Sequence, residues 1–411
     1  MKDKYNIPFS PPDISQTEID EVVDALKSGW ITTGPKVKEL EKRLAKYVNT
    51  GITDNGNPRL VCLNSQTAAA ELSLRLLGIG KGDEVITCAY TYTASASVID
   101  HVGAKIVLVD CQSDKCEIDY DQIEKAITPN TKAIIPIDLG GVPCDYDRLY
   151  EIVESKKSLF KPANKIQEAL GRIAIVDDAA HALGATYKNR MIGEIADFTN
   201  FSFHAVKNFT TAEGGAVAWK HIDGIDDDEI YHLLQLYSLH GQSKDALHKN
   251  TPGAWEYDIV GTWYKCNMTD IMGALGLAQL DRYPSLLERR KQIITKYDNA
   301  FKPLGIQVLS HYTNDYSSSG HLYITRIPSI TDEQRREIIT KLANLGISTN
   351  VHYKPLPLHT AYKDLGFDIK DYPNSYNYYI NEITLPLHTC LTDDEVDYVI
   401  ETYKEIVKEY I

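Results

Sequence analysis

The sequence has too little positive charge for a typical nucleic-acid-binding protein. Its 411 residues include 57 acidic and 43 basic side chains, which gives a net charge of −14. Proteins hold phosphate backbones with clustered Lys and Arg side chains, and no long basic run occurs here. We therefore expect no nucleic-acid partner. A small phosphorylated ligand stays possible, because the N–H groups at a helix N-terminus attract anions.

Paired cysteines and long apolar runs are absent as well, and no signal peptide is expected. The seven cysteines are scattered, without C-x-x-C spacing or a Cys/His cluster typical of zinc. No stretch approaches the roughly 20 apolar residues of a membrane span. Residues 1–6 lack the apolar segment of a signal peptide. We expect a reduced, cytoplasmic protein that holds no metal and crosses no membrane.

Alternating short strands and amphipathic helices occupy most of the chain. This alternation predicts a mostly parallel α/β sheet with right-handed crossovers. From Leu304 the pattern changes to that of a smaller α+β unit with antiparallel strands. We expect a large α/β domain over residues 1–282 and a small α+β domain over residues 283–411. A long helix from Tyr283 to Phe301 is expected to link them.

The first predicted helix has clear start signals. Ser15 and Glu18 have the spacing of a capping box. Ile19, Val22, Val23 and Leu26 recur at helical spacing, so we expect them to form the apolar face of this helix.

A lysine lies in a polar turn between two apolar runs. Residues 198–203 form a predicted strand, Lys207 follows, and a second apolar run begins at Ala216. A lysine held between buried strands loses hydration, which lowers the pKa of its ammonium and leaves an amine able to attack a carbonyl. Schiff-base formation, most often with pyridoxal phosphate (PLP), needs such an amine. An ordinary solvated turn lysine is the alternative.

Two aspartates and a histidine follow the preceding predicted strand. Residues 173–176 are apolar, and Asp177, Asp178 and His181 come next. Ligands of open parallel sheets bind at the carboxyl ends of strands. A carboxylate there can face the pyridinium nitrogen of PLP and keep the ring an electron sink. A helix N-cap is the alternative for such an aspartate.

The segments Asp-Asp-Ala-Ala-His, ending at His181, and Ser-Phe-His-Ala-Val-Lys-Asn, beginning at Ser202, resemble motifs of the DegT/StrS-type PLP-dependent sugar-nucleotide aminotransferases. The similarity extends over nearly the whole chain. It implies an aspartate-aminotransferase-like fold (PLP fold type I) and a homodimer. By this resemblance Lys207 forms the Schiff base, Asp178 pairs with the pyridinium nitrogen, and His181 lies near the ring and its phenolic oxygen. Ser202 would contact the cofactor phosphate.

Two further segments contain cofactor-binding candidates. Ser65, Gln66 and Thr67 lie between a predicted strand and a helix N-terminus, an arrangement that binds anions. No Gly-rich fingerprint is present, so a dinucleotide is not expected. The resemblance places the PLP phosphate at this helix, with an ordinary N-cap as the alternative. Tyr92 follows another strand, where its ring can stack on the pyridine or serve in the core.

The substrate-binding candidates come from the resemblance. Residues 29–36 are similar to the loop of aminoarabinose-forming members that borders the nucleotide-sugar site, which implicates Thr32 and Thr33. A plain connector is the alternative. His352 and Tyr353 match another family pattern and border the active site, although a structural role is equally open for both.

Lys265 and residues 242–256 are considered for the subunit interface. Lys265 occupies the family position from which one chain supplies Asn or Lys to the phosphate in the other, and a surface lysine is the alternative. Residues 242–256 are expected to reach toward the partner subunit. Residues 155–172 are interpreted as a surface helix or flexible insertion without a functional role.

The resemblance implies transfer of an amino group from an amino acid to a keto sugar of a nucleoside-diphosphate sugar, in amino-sugar and polysaccharide biosynthesis. It favours L-glutamate, released as 2-oxoglutarate, and a UDP-linked 4-keto sugar. A PLP- or PMP-dependent sugar dehydratase and a non-catalytic regulator are the alternatives. Such dehydratases have histidine in place of the Schiff-base lysine, so Lys207 argues against the first. Lys207, Asp178 and His181 together argue against the second.

Overall fold

The computed structural model describes residues 5–243 and 256–411. The helices of the first part are α1 (Gln16–Ser28), α2 (Pro35–Tyr47), α3 (Gln66–Leu76), α4 (Ala94–His101), α5 (Tyr120–Ala126), α6 (Tyr146–Ser155), α7 (Lys165–Leu170) and α8 (Asp227–Ser238). They are followed by α9 (Asp270–Phe301), α10 (Asp332–Asn344), α11 (Thr360–Asp364), α12 (Pro373–Tyr379) and α13 (Asp393–Val407). Within the described ranges, no helix is long and apolar enough to cross a membrane.

A seven-stranded sheet forms the centre of the first part. Its strands are β1 (Leu60–Leu63), β2 (Glu84–Cys88), β3 (Lys105–Val109), β4 (Thr131–Ile135), β5 (Ala174–Asp178), β8 (Phe198–Ser202) and β9 (Gly215–Trp219). The order across the sheet is β1-β9-β8-β5-β4-β2-β3, and only β9 runs antiparallel to its neighbours. The strands β1, β2, β4, β5 and β9 are buried throughout, as expected when helices cover both faces. The predicted α/β fold is confirmed.

The C-terminal part is built on a three-stranded antiparallel sheet. Its strands are β10 (Gln307–Val308), β12 (Tyr323–Arg326) and β13 (Glu382–Leu385), in the order β10-β12-β13. This sheet packs in a separate apolar cluster with α10, α13 and the end of α9. A small sheet of β6 (Thr186–Tyr187), β7 (Arg190–Met191) and β11 (Tyr316–Ser317) joins the two parts of the chain.

The long helix α9 corrects one expectation. A separate helix beginning at Tyr283 is wrong, because a single helix of 32 residues runs from Asp270 to Phe301 with Pro284 inside it. Its first half packs on α1 and α2, and its last turns enter the C-terminal core. Because this one helix belongs to both parts of the chain, the predicted domain boundary between residues 282 and 283 falls inside it. The domain assignment itself stays a prediction.

Helix α1 has the predicted capping box, and its predicted apolar face is largely exposed. Ile19, Val23 and Leu26 are 49%, 38% and 53% exposed, whereas Glu18 is fully buried. The Glu18 carboxylate accepts hydrogen bonds from Gln279 and Arg282 of α9. The side of α1 that faces α9 therefore carries the Glu18 carboxylate paired with Arg282, and the apolar stripe of α1 faces outward.

The segment over residues 155–172 is ordered into α7 and a short turn before it. Gln167 is fully buried, and Arg172 at its end forms an ion pair of 2.7 Å with Asp197. These contacts anchor the segment to the sheet. Its lack of a functional role stays a prediction.

Candidate active site

A cavity of about 300 Å³ opens at the carboxyl ends of β1, β2, β5 and β8. This is the edge at which open parallel sheets bind ligands. The predicted residues that line the cavity are Ser65, Gln66, Thr67, Tyr92, Asp178, His181, Ser202, Lys207 and Tyr353. Residues far apart in the chain meet here because parallel strands bring their ends to one edge.

Lys207 lies in the turn after β8. Its backbone N–H donates to the carbonyl of His204 at 2.8 Å, which closes the turn. Burial of the side chain lowers the pKa of Lys207 to about 8, and the charge of Asp178 opposes that shift. A large fraction of the amine is therefore neutral near pH 8, the form that attacks a carbonyl.

Asp178 ends β5 with a donor on each carboxylate oxygen. The Ser95 hydroxyl donates to Oδ2 at 2.6 Å, and the Ala180 N–H donates to Oδ1 at 3.2 Å. Burial raises the pKa of Asp178, whereas these two hydrogen bonds and the charge of Lys207 lower it. The carboxyl is held in one orientation at the cavity wall.

His181 is buried and neutral. Its Nδ1 accepts a hydrogen bond from the Gly140 N–H at 3.1 Å, so the ring proton is assigned to Nε2. Nε2 lies 3.2 Å from the Tyr353 hydroxyl. Burial, followed by the charges of Lys207 and His352, lowers the pKa of His181 well below its usual value. The imidazole thus presents a fixed N–H donor in this part of the cavity.

The opposite end of the cavity has the features of an anion site. Ser65 caps α3, and its hydroxyl accepts from the Ala68 N–H at 3.1 Å. The N–H groups of Gln66 and Thr67 belong to the first helical turn, whose donors have no intrahelical acceptor. Gly215 passes so close that a Cβ there would lie 2.4 Å from the Gln66 nitrogen. A small anion such as a phosphate group fits at this helix end.

Two tyrosines form an aromatic wall. Tyr92 is 61% exposed, and its ring centroid lies 6.0 Å from that of Tyr353. Because the Tyr92 ring is not buried in the core, it is available to pack against a bound ring. The alternative of a core tyrosine is thereby removed for this residue.

Four predicted residues do not line the cavity of their own chain. Thr33 is buried, and its hydroxyl donates to the Met268 carbonyl at 2.6 Å. The Thr32 carbonyl accepts from the Asp270 N–H. Lys265 is exposed beside Asn267. Their predicted roles stay predictions.

The fourth residue, His352, is buried behind Tyr353. Its Nδ1 lies 3.0 Å from the Thr384 hydroxyl, and its ring stacks on Phe9. Its predicted contact with substrate also stays a prediction. Most of the loop predicted to reach the partner, residues 244–255, lies outside the described residues.

Sequence reasoning missed several residues at the site. Thr91, His204 and Glu213 line the cavity, Ser95 lies behind Asp178, and the His321 ring centroid lies 4.3 Å from that of His181. The position of Ser95 in the first turn of α4, the helix that follows β2, was the available signal. His321 had no local signal, because it belongs to the C-terminal part of the chain.

The donor set fits PLP and not a metal. One cavity contains an amine of lowered pKa, a buried carboxylate, a helix N-terminus and an exposed aromatic ring. Among residues 5–243 and 256–411, no three His, Cys, Asp or Glu side chains converge as metal ligands. Lys207, Asp178, the N-terminus of α3 and Tyr92 can respectively serve the carbonyl, ring nitrogen, phosphate and ring face of PLP.

Comparisons with known proteins agree with this geometry. The DegT/DnrJ/EryC1/StrS aminotransferase family model matches residues 12–404. The spore coat polysaccharide biosynthesis protein SpsC of Bacillus subtilis (strain 168) is 38% identical over 416 residues, which cover 99% of each chain.

Solved structures are similar as well. The PMP form of Spr1654 from Streptococcus pneumoniae, a protein assigned as a sugar aminotransferase, is 60% identical, with a TM-score of 0.95 over 99% of this chain and 100% of that one. A PLP form of the same protein has a TM-score of 0.94 over 99% of this chain and 100% of that one, at 59% identity. Helicobacter pylori PseC, an aminotransferase involved in the biosynthesis of pseudoaminic acid, is 25% identical, with a TM-score of 0.84 over 98% of this chain and 100% of that one. The chain belongs to the DegT/DnrJ/EryC1/StrS aminotransferase family, and it is a PLP-dependent transaminase.

Proposed function

We propose that the enzyme transfers the amino group of L-glutamate to a keto sugar carried by a nucleoside diphosphate, with a UDP-linked 4-keto sugar as the preferred class. The observation that carries the proposal is the convergence of Lys207, Asp178 and the N-terminus of α3 on one cavity. Family membership supports a sugar acceptor. The nucleotide and the keto position rest on the similarity of residues 29–36 to the aminoarabinose-forming members.

The cavity residues take distinct roles in this proposal. Ser65, Gln66, Thr67 and Ser202 bind the cofactor phosphate. Asp178 faces the ring nitrogen, Tyr92 packs on the ring, and His181 lies near the ring and its phenolic oxygen. These assignments agree with the helix end, the buried carboxylate and the tautomer of His181 described above.

Lys207 both attaches PLP and moves protons. When bound, PLP supplies the electron sink that acidifies the Cα proton of the amino donor. The Lys207 amine removes that proton, and in the second half-reaction it delivers a proton to the former keto carbon of the sugar. Its pKa of about 8 suits both directions, because proton transfer is most efficient when the pKa lies near the working pH.

A homodimer with the active sites at the interface completes the proposal. Ile14, Ile19 and Val23 are exposed and line an apolar groove of about 360 Å³. Ala205, from the turn that holds Lys207, lines the same groove. Large exposed apolar patches mark interaction sites. A second copy of the chain seated there would lie beside the cavity.

In the proposed dimer, the predicted site residues that do not line the cavity of their own chain would lie close to an active site. Lys265 is exposed, so Lys265 of the partner subunit is free to meet the phosphate. Thr32 and Thr33 lie near Lys265 through contacts with Asp270 and Asn267, and they would border the sugar nucleotide. His352 and Tyr353 would border it from the other side. A cytoplasmic location is part of the proposal and rests on composition.

A substrate panel tests the proposal. Keto nucleotide sugars that differ in base and in keto position are incubated with L-glutamate, and 2-oxoglutarate is measured. We expect the highest kcat/KM for a UDP-linked 4-keto sugar and no turnover in Lys207→Ala. Turnover with free keto sugars or keto acids but with none of the nucleotide sugars would overturn it. The same panel with other amino donors checks the preference for glutamate.

A further inference from the structure

Two buried hydroxyl groups are linked in series to the cavity carboxylate, that of Thr91 in the cavity wall and that of Ser95 behind it. Ser95, in the first turn of α4, donates to Oδ2 of Asp178 at 2.6 Å. The Ser95 oxygen lies 2.9 Å from the Thr91 hydroxyl. Ser95 is fully buried and Thr91 is 2% exposed, so neither competes with bulk water for its partner. The result is a chain of three side chains that ends on Asp178.

The direction of this chain follows from the charge of Asp178. An ionised carboxylate can only accept hydrogen bonds, so the Ser95 hydrogen must point at it. The Ser95 oxygen is then left as an acceptor, and Thr91 must be the donor to it. If Asp178 takes up a proton, the donor at this contact can reverse. The arrangement in which Thr91 donates to Ser95 and Ser95 to Asp178 therefore belongs to the ionised state.

We propose that Ser95, backed by Thr91, is a positioning residue that keeps Asp178 ionised and oriented toward the ring nitrogen of PLP. The inference rests on the proposed place of Asp178 opposite that nitrogen. Ser95 does not line the cavity, so it acts through Asp178 and not on substrate.

The surroundings of Asp178 explain why such support is needed. Burial raises the pKa of Asp178, and the Ser95 hydrogen bond is the largest opposing influence. The Ala180 N–H contact, at 3.2 Å, is longer. Lys207 supplies a positive charge, but its amine is the group that reacts. Asp177 and Tyr353 also interact with the charge of Asp178, and neither supplies a cation.

Cofactor binding as a function of pH tests the proposal in the full-length protein. Ser95→Ala removes the hydroxyl, Ser95→Thr retains it, and Ser97→Ala is the control on the same helix. The PLP dissociation constant is measured by fluorescence between pH 5 and 9, and the absorbance of bound PLP is titrated over the same range. Circular dichroism and thermal unfolding verify that each variant folds.

We expect Ser95→Ala to weaken PLP binding about tenfold or more, the range for a lost hydrogen bond to a charged group. The acid limb of the binding profile should move to higher pH by about one unit. Ser95→Thr should stay within about threefold of wild type, as should Ser97→Ala. Thr91→Val should move the acid limb in the same direction by less than Ser95→Ala does.

Two results would overturn the inference. One is a binding profile of Ser95→Ala that coincides with wild type. The other is a loss of affinity equal at every pH that Ser95→Thr does not restore, which is the pattern of a merely structural residue. Either result leaves the proposed function standing if the wild-type protein binds PLP and transaminates. A wild-type protein that fails to convert any keto nucleotide sugar would instead contradict the proposed function.

Discussion

Asp177 and Asp178 are neighbours at the end of β5, yet they face opposite sides of the sheet. Asp178 lines the cavity, where Ser95, Ala180 and Lys207 surround it. Asp177 is fully buried on the core side, beside another buried carboxyl, that of Asp138. Successive strand residues point to opposite faces, so only one of the pair can reach a ligand.

The two sides differ in what opposes burial. On the core side, burial and the charge of the neighbouring Asp138 both raise the pKa of Asp177, so ionisation of both carboxyls is disfavoured. On the cavity side, two hydrogen-bond donors and a lysine favour the carboxylate of Asp178. Both residues are buried aspartates at the end of the same strand, so the residue type does not decide which carboxyl ionises more readily. The groups on each face of the sheet decide it.

The largest expected effect is that of Lys207→Ala. The substitution removes the amine that attaches PLP and moves the Cα proton, so turnover should fall by about 10⁴-fold or more. Conversion of glutamate to 2-oxoglutarate with the preferred sugar measures it, and Lys105→Ala, an exposed lysine on β3, is the control. Wild-type activity in Lys207→Ala would remove this residue from the mechanism.

Asp178→Asn should have the next largest effect. The amide is the same size but carries no charge opposite the ring nitrogen, so kcat should fall about 10²- to 10³-fold, as for loss of one preorganised electrostatic partner. Steady-state kinetics measure the effect, with thermal unfolding as the check on folding. A near-normal kcat would contradict the proposal that the carboxylate of Asp178, on the cavity side of β5, takes part in catalysis.

Tyr353→Phe should have a modest effect. It removes the hydroxyl that lies 3.2 Å from Nε2 of His181, while the Gly140 contact to Nδ1 remains. We expect kcat/KM to fall about two- to tenfold, the range for one neutral hydrogen bond. A loss as large as that of Asp178→Asn would show that Tyr353 takes part in the chemistry itself.

Asp177→Asn should leave turnover within about threefold of wild type, because its side chain does not line the cavity. Its effect should appear in the pH dependence of stability. A carboxyl of raised pKa keeps its proton in the folded state after the unfolded chain has released it, above about pH 4. The free energy of unfolding should therefore decrease as pH rises from about 4 toward the raised pKa.

Denaturant titrations at a series of pH values measure this dependence. The slope should be flatter in Asp177→Asn than in wild type, and Asp138→Asn should flatten it as well. A slope unchanged in both variants would contradict the raised pKa of Asp177 on the core side.

Local sequence patterns were sufficient for the sheet and for the residues at its edge. Strand, turn and helix around Lys207, Asp178 and Thr67 are set by neighbouring residues, and parallel topology then brings their ends together. Ser95 was missed because its contact joins residues 83 apart in the chain. That the apolar stripe of α1 faces outward could not be predicted, because helical periodicity identifies a face but not what covers it.

The choice of Asp178 over Asp177 also lay beyond local pattern. Alternation states that only one of two consecutive aspartates faces the cavity, and it does not say which one. The resemblance to the family selected Asp178, and the structure places that residue in the cavity wall. The one continuous helix α9 was not predicted, because the local pattern does not show that the helix ending at Phe301 already begins at Asp270.

The proposed attachment of PLP to Lys207 is tested most directly by trapping the covalent bond between the protein and the cofactor. The wild-type protein is saturated with PLP, reduced with borohydride, digested and analysed by mass spectrometry. We expect one phosphopyridoxyl group per chain, on the peptide that contains Lys207. The label should be lost in Lys207→Ala but not in Lys265→Ala. A label on another lysine, or a wild-type protein that takes up none, would contradict it.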